Sequence, residues 1–285
     1  MLTSKKNKKY KMLTNDTVSV KGVRLYRIQA LESFGHVKKG TLGGYIQSEA
    51  NLRYDDNCWI YDNARVYGNA LIYCNARIHG KARVYGNAKV GGNAYVTDNA
   101  RIYDNARLYD NAQVFQEAQV YGNAEVNNSA SLWNKSKAFG NTKIYDTAEL
   151  WGNVRVYDDA EIHNNVRIYQ NAKIYGNARL SGDVKIYDKT RIHGHASIYG
   201  YTSIYGNANI NHSNQWISME NIGTTGRLYT FYETKGVIYA HVGSFFGNLN
   251  ELEKELKTSP YLHDTLTKKE YDALIKFIKI KLLNK

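Results

Sequence analysis

The sequence predicts an all-β solenoid, a triangular parallel β-helix of 18-residue coils, followed by a small α+β domain. Every sixth residue from Ile60 to Ile210 is an anchor, and 25 of these 26 positions hold Val, Ile or Leu, with Ala138 as the exception. Four residues after each anchor stands a small or β-branched residue, and Gly, Asp or Asn is frequent between them. A period of six fits neither an α-helix nor a heptad coil. The repeat therefore indicates short strands joined by tight corners.

Each hexapeptide contains one strand and one corner. In the segment 64–67, strand alternation places the Ala and Val side chains inside and those of Arg65 and Tyr67 outside. The Gly-Asn pair at 68–69 follows, and both residue types accept the positive φ of a tight corner. Three such units complete one coil, so residues 18 apart should lie on neighbouring strands of one face.

The repeat divides the chain into four predicted regions. Residues 1–16 are predicted to be a basic disordered tail, and residues 17–58 a cap that leads into the first coil with a hairpin turn near Lys21. Residues 59–213 form the hexapeptide-repeat helix, and residues 214–285 the small α+β domain. A cap is expected at each end because an open coil would expose a strand edge.

The region after Ile210 loses the hexapeptide period. Two strands are predicted around 234–236, followed by two helices that begin with capping-box patterns at 248–251 and 267–270. Pro260, the single proline of the chain, separates the two predicted helices.

The hexapeptide repeat resembles the left-handed parallel β-helix family. The segments VKKGTLGGYI (37–46) and NCWIYDNA (57–64) resemble the start of bacterial and phage β-helix proteins, some of which carry the label acetyltransferase. Residues 214–285 are similar to a small C-terminal domain of phage and prophage repeat proteins. The resemblance implies left-handed coils, a phage-encoded chain and frequent trimers. One departure from the family pattern is Tyr where the family usually has a small or acidic residue after the anchor.

The composition favours a cytoplasmic protein that does not enter a membrane. No long apolar run occurs, and the basic N-terminus lacks the apolar core of a signal peptide. Two cysteines give no disulfide framework, which favours a reducing compartment, the host cytoplasm for a phage protein. Of the net charge of +12, residues 1–59 carry +6, residues 60–210 carry +4 and residues 211–285 carry +2.

Acyl transfer is the catalytic alternative, because enzymes of the resembled family commonly use a histidine, a groove for acyl-CoA and loops that interrupt the coils. Here the hexapeptide phase holds from 60 to 210 without an inserted residue, so no projecting loop is predicted. His79, His163 and His193 occupy the outward place usually held by Tyr and are interpreted as polar substitutes. Fold analogy alone supports catalysis.

No metal or cofactor site is predicted. Cys58 falls on an inward position and Cys74 at a corner, which does not bring them together as ligands. His193 and His195 alternate along one exposed stretch, which needs no metal to explain it. The Gly-Asn pairs form corners and do not open a helix as a phosphate-binding loop would.

The outer faces differ in charge when the sequence is folded at 18 residues. The first face has seven basic and no acidic residues in its strand positions, whereas the second and third faces each carry +2. We predict that the first face binds an anionic ligand, with aromatic rings available to stack on bases. The predicted binding residues are Arg65, Tyr67, Arg83, Tyr85, Arg101, Tyr103, Tyr121, Lys137, Arg155, Tyr157, Lys173, Tyr175 and Arg191. The alternative is that this ladder is only scaffold, with the cations lying over the tyrosine rings.

The third face is the most apolar at its middle, where Phe115, Trp133 and Trp151 fall one coil apart. Large aromatic residues on a surface commonly mark a protein contact, so these three are predicted to contact a protein. Aromatic stacking that merely stabilises the solenoid is the alternative.

These observations predict a non-catalytic binding or scaffold protein without a cofactor. Its partner would be a protein or an anionic macromolecule, including nucleic acid or a nucleotide, and a phage protein of this kind would inhibit or sequester a host factor. Homo-oligomerisation as a trimer or dimer is expected from the resemblance. The alternatives are an acyl-CoA-dependent acyltransferase and a self-assembling structural protein.

Overall fold

The structure is a computed structural model that describes residues 8–222, 227–258 and 268–283. It confirms the predicted parallel β-solenoid with a small α+β region near the C-terminus. The chain forms two compact units, Met1–Gly152 and Asn153–Lys285, and each carries part of the hexapeptide repeat.

The first unit holds three longer strands and a series of two-residue strands. They are β1 (Tyr10–Val20), β2 (Val23–Ala30), β3 (Leu42–Ile46), β4 (Trp59–Ile60), β5 (Arg65–Val66), β6 (Leu71–Ile72), β7 (Arg77–Ile78), β8 (Arg83–Val84), β9 (Lys89–Val90), β10 (Tyr95–Val96), β11 (Arg101–Ile102), β12 (Arg107–Leu108), β13 (Gln113–Val114), β14 (Gln119–Val120), β15 (Glu125–Val126), β16 (Ser131–Leu132), β17 (Lys137–Ala138), β18 (Lys143–Ile144) and β19 (Glu149–Leu150). A short 3₁₀ turn spans Glu49–Asn51.

The second unit continues with short strands and ends in longer strands and helices. They are β20 (Arg155–Val156), β21 (Glu161–Ile162), β22 (Arg167–Ile168), β23 (Lys173–Ile174), β24 (Arg179–Leu180), β25 (Asp183–Ile186), β26 (Arg191–Ile192), β27 (Ser197–Ile198), β28 (Tyr201–Ile204), β29 (Asn209–Ile210), β30 (Trp216–Ile222), β31 (Arg227–Thr234), β32 (Val237–Val242), β33 (Phe245–Asn248), α1 (Leu249–Thr258) and α2 (Lys268–Leu283). A second 3₁₀ turn spans Ser213–Gln215.

The short strands of the first unit form three parallel sheets, one for each predicted face. The first face contains β5, β8, β11, β14 and β17, the second β6, β9, β12, β15 and β18, and the third β4, β7, β10, β13, β16 and β19. Arg65 pairs with Arg83, and Val66 with Val84, which is the predicted register of 18 residues. The 18-residue spacing of the sequence therefore sets the sheet pairing.

The anchors form the core of the coils. Val66, Val84 and Ile102 lie on successive strands of the first face and are completely buried, as is Ala138, the exception to the aliphatic pattern. Each anchor follows a buried small or β-branched residue two positions earlier, such as Ala64 or Val154. The inner positions are narrow, which favours side chains of this size where the chain turns.

The corners combine a left-handed backbone with contacts to the next coil. Asp104 has a φ of 57°, and one of its carboxylate oxygens accepts a hydrogen bond of 3.2 Å from the backbone N–H of Gly122. Asp98 does the same with Gln116 at 3.1 Å. Asp and Asn suit these places because they tolerate positive φ and can accept from backbone N–H groups.

The N-terminal cap begins earlier than predicted. Strand β1 pairs antiparallel with β2, and the hairpin turns at Lys21 and Gly22 as expected. Lys9 and Tyr10 are buried, and the Tyr10 hydroxyl donates to the Leu52 carbonyl at 2.9 Å. The prediction of a disordered tail through residue 16 is therefore wrong for residues 8–16, because Lys9 and Tyr10 pack into the cap.

In the second unit, a four-stranded antiparallel sheet follows the last short strands in the order β30-β31-β32-β33. The predicted strand pair is β31 and β32, which turns at Lys235 and Gly236, while β30 and β33 were not predicted. Helices α1 and α2 bury Leu252, Leu274 and Ile278 in the same core as the sheet.

The start of α1 confirms the predicted capping box. The Asn248 backbone N–H donates to Glu251 Oε2 at 2.7 Å, and the Glu251 backbone N–H donates to Asn248 Oδ1 at 3.0 Å. Pro260 and Thr267, which the sequence placed at the helix boundaries, lie outside the described residues.

The antiparallel sheet contacts the last short strands of the same unit. The Tyr232 hydroxyl donates to the Tyr205 carbonyl at 2.8 Å, and the Trp216 indole N–H donates to the Ser197 carbonyl at 2.8 Å. The buried hydroxyls of Thr202 and Thr230 lie 3.1 Å apart. The sheet thus packs against the end of the repeat that the sequence predicted to need a cap.

Candidate anion-binding groove

The first face of the first unit carries a column of arginines. Arg65, Arg83 and Arg101 are directly paired on β5, β8 and β11, and strand alternation turns their side chains outward while the neighbouring anchors point inward. Gln119 and Lys137 continue the same column on β14 and β17. Adjacent strands lie about 4.8 Å apart, so like charges are held close together.

None of these three arginines has a carboxylate at ion-pair distance within the described ranges. The second face differs, since Arg107 lies 3.3 Å from Glu125 in the first unit. In the second unit, Arg179 on that face lies 3.6 Å from Glu161. In the described part of the chain, the three first-face arginines therefore lack the direct carboxylate partner that Arg107 and Arg179 have.

A groove of about 210 Å³ runs beside this column. The arginine groove, as we name it, is lined by Asn63, Arg65, Lys81, Arg83, Asn99 and Arg101. Four of its six lining residues are cationic and none is acidic. Strand alternation does not point to Lys81, Asn63 or Asn99, because they are corner residues. The 18-residue spacing nevertheless places them in one column beside the arginines.

Two nearby acidic corners are already engaged in the coils. Asp62, next to Asn63, accepts from the backbone N–H of Gly80 at 2.9 Å, and Asp98, next to Asn99, accepts from that of Gln116. Their charges reduce the positive potential at the rim of the groove.

The aromatic residues of the first face form a tyrosine ladder, which we define as Tyr67, Tyr85, Tyr103, Tyr121 and Phe139. Successive ring centroids lie 5.0, 5.0, 4.7 and 4.8 Å apart, and the planes differ by 3° or less. The first ring, Tyr67, also packs against the buried cluster of Val20, Leu25 and Tyr45 in the cap.

This geometry corrects the predicted stacking of bases on Tyr85, Tyr103 and Tyr121. A base between two rings needs about 3.4 Å on each side, or about 7 Å in all, whereas the ring centroids are at most 5.0 Å apart. The strand spacing of about 4.8 Å sets this distance, so the ladder can open for a base only if tyrosine side chains leave their stacked rotamers. The rings present their edges and hydroxyls outward, and their faces contact each other.

The hydroxyls of Tyr67, Tyr85 and Tyr103 remain protonated near neutral pH. Burial, with smaller contributions from the neighbouring tyrosines, raises the pKa of Tyr103 to about 12. Burial also raises the pKa of Tyr67 and of Tyr85. These phenols are therefore neutral hydrogen-bond donors, and the hydroxyl of Tyr103 already donates to Gln119 Oε1 at 3.4 Å.

The second unit carries an equivalent set of predicted binding residues. Arg155 pairs with Lys173, and Lys173 with Arg191, on β20, β23 and β26. The rings of Tyr157 and Tyr175 stack at 4.9 Å, and His193 stacks on Tyr175 at 4.7 Å. The predicted column is thus present in this unit, and its rings are also closely stacked.

The predicted protein-contact residues form a stack of their own on the third face. Phe115 lies 3.8 Å from Trp133, and Trp133 lies 4.5 Å from Trp151, between ring centroids. All three are half-buried, so they are less exposed than the sequence indicated. Both indole N–H groups are bonded, that of Trp133 to Ser131 Oγ and that of Trp151 to Glu149 Oε2, each at 2.9 Å.

The histidines and cysteines do not converge on a second site. The His79 ring stacks 4.0 Å from that of Tyr61, and burial lowers the pKa of His79. Cys58 is buried, Cys74 is exposed at a corner, and both thiols are free. Within the described ranges, no group of three or more His, Cys, Asp or Glu residues is arranged to hold a metal ion.

This arrangement defines a parallel β-solenoid protein built from hexapeptide repeats, with a cationic groove on one face. Residues 60–73, 64–80, 100–116 and 118–132 match the family described as YdcK Beta solenoid repeat. No curated protein matches the chain. Among the helices that the structure describes, none has the length and apolar character needed to cross a bilayer.

One solved structure with a similar course is UDP-N-acetylglucosamine O-acyltransferase (LpxA) from Moraxella catarrhalis RH4. The two chains are 16% identical, the match covers 84% of this chain and 94% of the other, and the TM-score is 0.33.

Proposed function

We propose that the protein is a binding scaffold that holds an anionic macromolecule on the first face of its solenoid. One observation carries this proposal: Arg65, Arg83 and Arg101 stand in register beside a groove, and no described carboxylate pairs with them. Stacked like charges on neighbouring strands cost stability. A bound polyanion would relieve that repulsion, which the unliganded column retains.

The rigid course of the strands suits a binding role. The arginines lie on paired strands rather than on a mobile loop, so binding requires ordering of their side chains but not of the backbone. Sequestration of a host factor by a phage-encoded protein is the form of this function that the sequence resemblance suggests. Under that proposal the host factor would present the anionic surface.

Binding of a fluorescent single-stranded oligonucleotide over a series of salt concentrations tests the proposal. We would use the full chain carrying Lys5→Gln and Lys6→Gln, which removes nonspecific attraction by those two lysines. Arg83→Glu/Arg101→Glu should abolish binding, and the charge-matched Arg107→Glu/Lys143→Glu pair on the second face should largely retain it. Each lost phosphate contact should reduce the slope of log affinity against log salt by about 0.7. Equal behaviour of the two variants, or no binding at low salt, would refute the proposal.

A further inference from the structure

We propose that the arginine groove recognises an unbranched chain of phosphate groups through its oxyanions alone, and that attached bases contribute nothing. This inference rests on the proposed function and specifies its ligand class. It also differs from the sequence-based expectation that aromatic rings stack on bases.

The cations are arranged as a line. Arg65, Arg83 and Arg101 repeat at the strand spacing of about 4.8 Å, so the column extends over about 10 Å, and Lys81 lies beside it. A single phosphate can contact only part of this line. A chain of phosphates can engage all four cations at once, and arginine forks match phosphate oxygens in geometry.

The tyrosine ladder offers hydroxyl hydrogen-bond donors but no exposed ring face on which a base could stack. Its interior rings are covered on both faces at centroid distances of 4.7 to 5.0 Å. The Tyr103 hydroxyl is neutral, with a pKa raised to about 12, but it already donates to Gln119 Oε1 at 3.4 Å. Phosphate oxygens can accept from the hydroxyls of Tyr67 and Tyr85, whereas a base gains no ring face.

The corner that borders the groove is built differently from the other two. At one corner Asn69 donates to Asn87 at 3.0 Å, and at another Asn75 donates to Asn93 at 3.0 Å, so these amides pair from coil to coil. At the corner that borders the groove, the equivalent column reads Asn63, Lys81 and Asn99. Lys81 therefore interrupts the series of paired asparagines, which we call the asparagine ladder.

The interruption leaves an amide free for a ligand. The side chain of Asn99 has no hydrogen-bond partner in the part of the chain that the structure describes. Asn63 Oδ1 accepts from Arg27 at 3.4 Å, which leaves its amide N–H groups without a described acceptor. The groove therefore combines four cations with unpaired neutral donors, all suited to oxyanions.

The decisive experiment compares oligo(dT) with an abasic phosphodiester strand of the same length. The full chain with Lys5→Gln/Lys6→Gln is used, and binding is measured by fluorescence anisotropy and by competition with inorganic polyphosphate. We expect the two strands to bind with affinities within about twofold of each other. Polyphosphate should compete better as its chain lengthens, until it spans the column, and pyrophosphate should compete poorly.

Lys81→Asn is the matched variant, because it removes one groove cation and completes the asparagine ladder. We expect affinity for polyphosphate and both strands to fall by about three- to tenfold, with no loss of thermal stability. Lys89→Asn, which removes an exposed lysine from the second face, should leave affinity nearly unchanged.

The outcomes separate this inference from the proposed function. Oligo(dT) binding about tenfold tighter than the abasic strand would overturn the inference and leave the anion-binding function standing. Unchanged affinity in Lys81→Asn would also overturn it, because the groove would not be the site. If no polyanion binds at low salt, the proposed function itself fails.

Discussion

The indole rings of Trp133 and Trp151 stack with their centroids 4.5 Å apart and their planes 2° apart. Each indole N–H is bonded to the residue two positions earlier, and Trp133 has an aromatic ring on both faces. This arrangement favours a stabilising role for the aromatic stack. It makes the stack a weaker candidate for a protein contact than the sequence suggested.

Self-association should instead use α2. Phe277, Ile280 and Leu283 on this helix are 48%, 51% and 45% exposed. The opposite side of the helix is buried in the core of the second unit, so the chain exposes a second apolar stripe. We expect Phe277→Gln/Ile280→Gln to lower the mass found by light scattering, and Trp133→Gln/Trp151→Gln to leave it unchanged. The reverse result would return the contact to the tryptophans.

A charged side chain at a buried anchor position should strongly destabilise the fold. Ile102 is completely buried in the narrow core, so Ile102→Asp would introduce an unpaired carboxylate and should destabilise the fold by more than about 4 kcal/mol. Arg101→Asp, at the outward position of the same strand, should change stability little. Circular dichroism and thermal melting measure both. A folded Ile102→Asp protein with an unchanged melting temperature would argue against the narrow core.

The coil that contains Ala138 offers a stabilising substitution. The Ser136 hydroxyl is completely buried and has no hydrogen-bond partner among the residues that the structure describes, whereas most other coils hold Ala at this position. Ser136→Ala should therefore stabilise the protein by about 1 kcal/mol in urea unfolding. Thr202→Ala is the contrasting variant, because it leaves the buried Thr230 hydroxyl unpaired and should destabilise. Destabilisation by Ser136→Ala would show that its hydroxyl has a partner.

Stability should fall at alkaline pH because of the tyrosines. Burial raises the pKa of Tyr103 and that of Tyr187 to about 12, above the value of about 10 in an unfolded chain. The folded state then keeps phenolic protons that the unfolded state has lost, so stability decreases as pH rises above about 10. Urea unfolding at several alkaline pH values measures the effect, and Tyr103→Phe should reduce its slope. A pH-independent midpoint would contradict the raised pKa values.

Acyl transfer predicts a different behaviour from anion binding. We expect no specific binding of acetyl-CoA in calorimetry and no release of CoA on incubation with acceptor mixtures. His79 is the first residue to test, because it is a half-buried histidine with a lowered pKa next to Asp62. Micromolar affinity together with CoA release that His79→Ala abolishes would establish the enzyme instead.

The repeat could be predicted from the sequence because each hexapeptide carries the same pattern of buried and exposed residues, and this pattern recurs many times along the chain. Each anchor such as Val66 specifies burial, and the spacing of 18 residues then gives its partner Val84. Strand β1 was missed because the lysines before it suggested a solvated tail, whereas Lys9 is buried by contacts to Cys58 and Phe34 that only the folded chain creates.

The candidate site was predicted only in part for a related reason. The arginines occupy strand positions, and strand alternation gives their direction directly. Lys81 belongs to a corner, so its place in the groove depends on how two columns lie side by side. The ring spacing that excludes bases depends on the sheet repeat and on side-chain rotamers, which the residue pattern does not specify.

The corner contacts have a consequence for how such a chain can change during evolution. Asp98 and Asp104 each bond to a residue 18 positions later, and each strand of the first unit's coils pairs at that same interval. Gain or loss of one whole coil therefore leaves every remaining contact with an equivalent partner, while any other insertion would disturb the register. The length of the solenoid can therefore change only by whole coils. Duplication of a coil extends the charged surface by about 4.8 Å, which suits a longer ligand, and the fold of each coil stays the same.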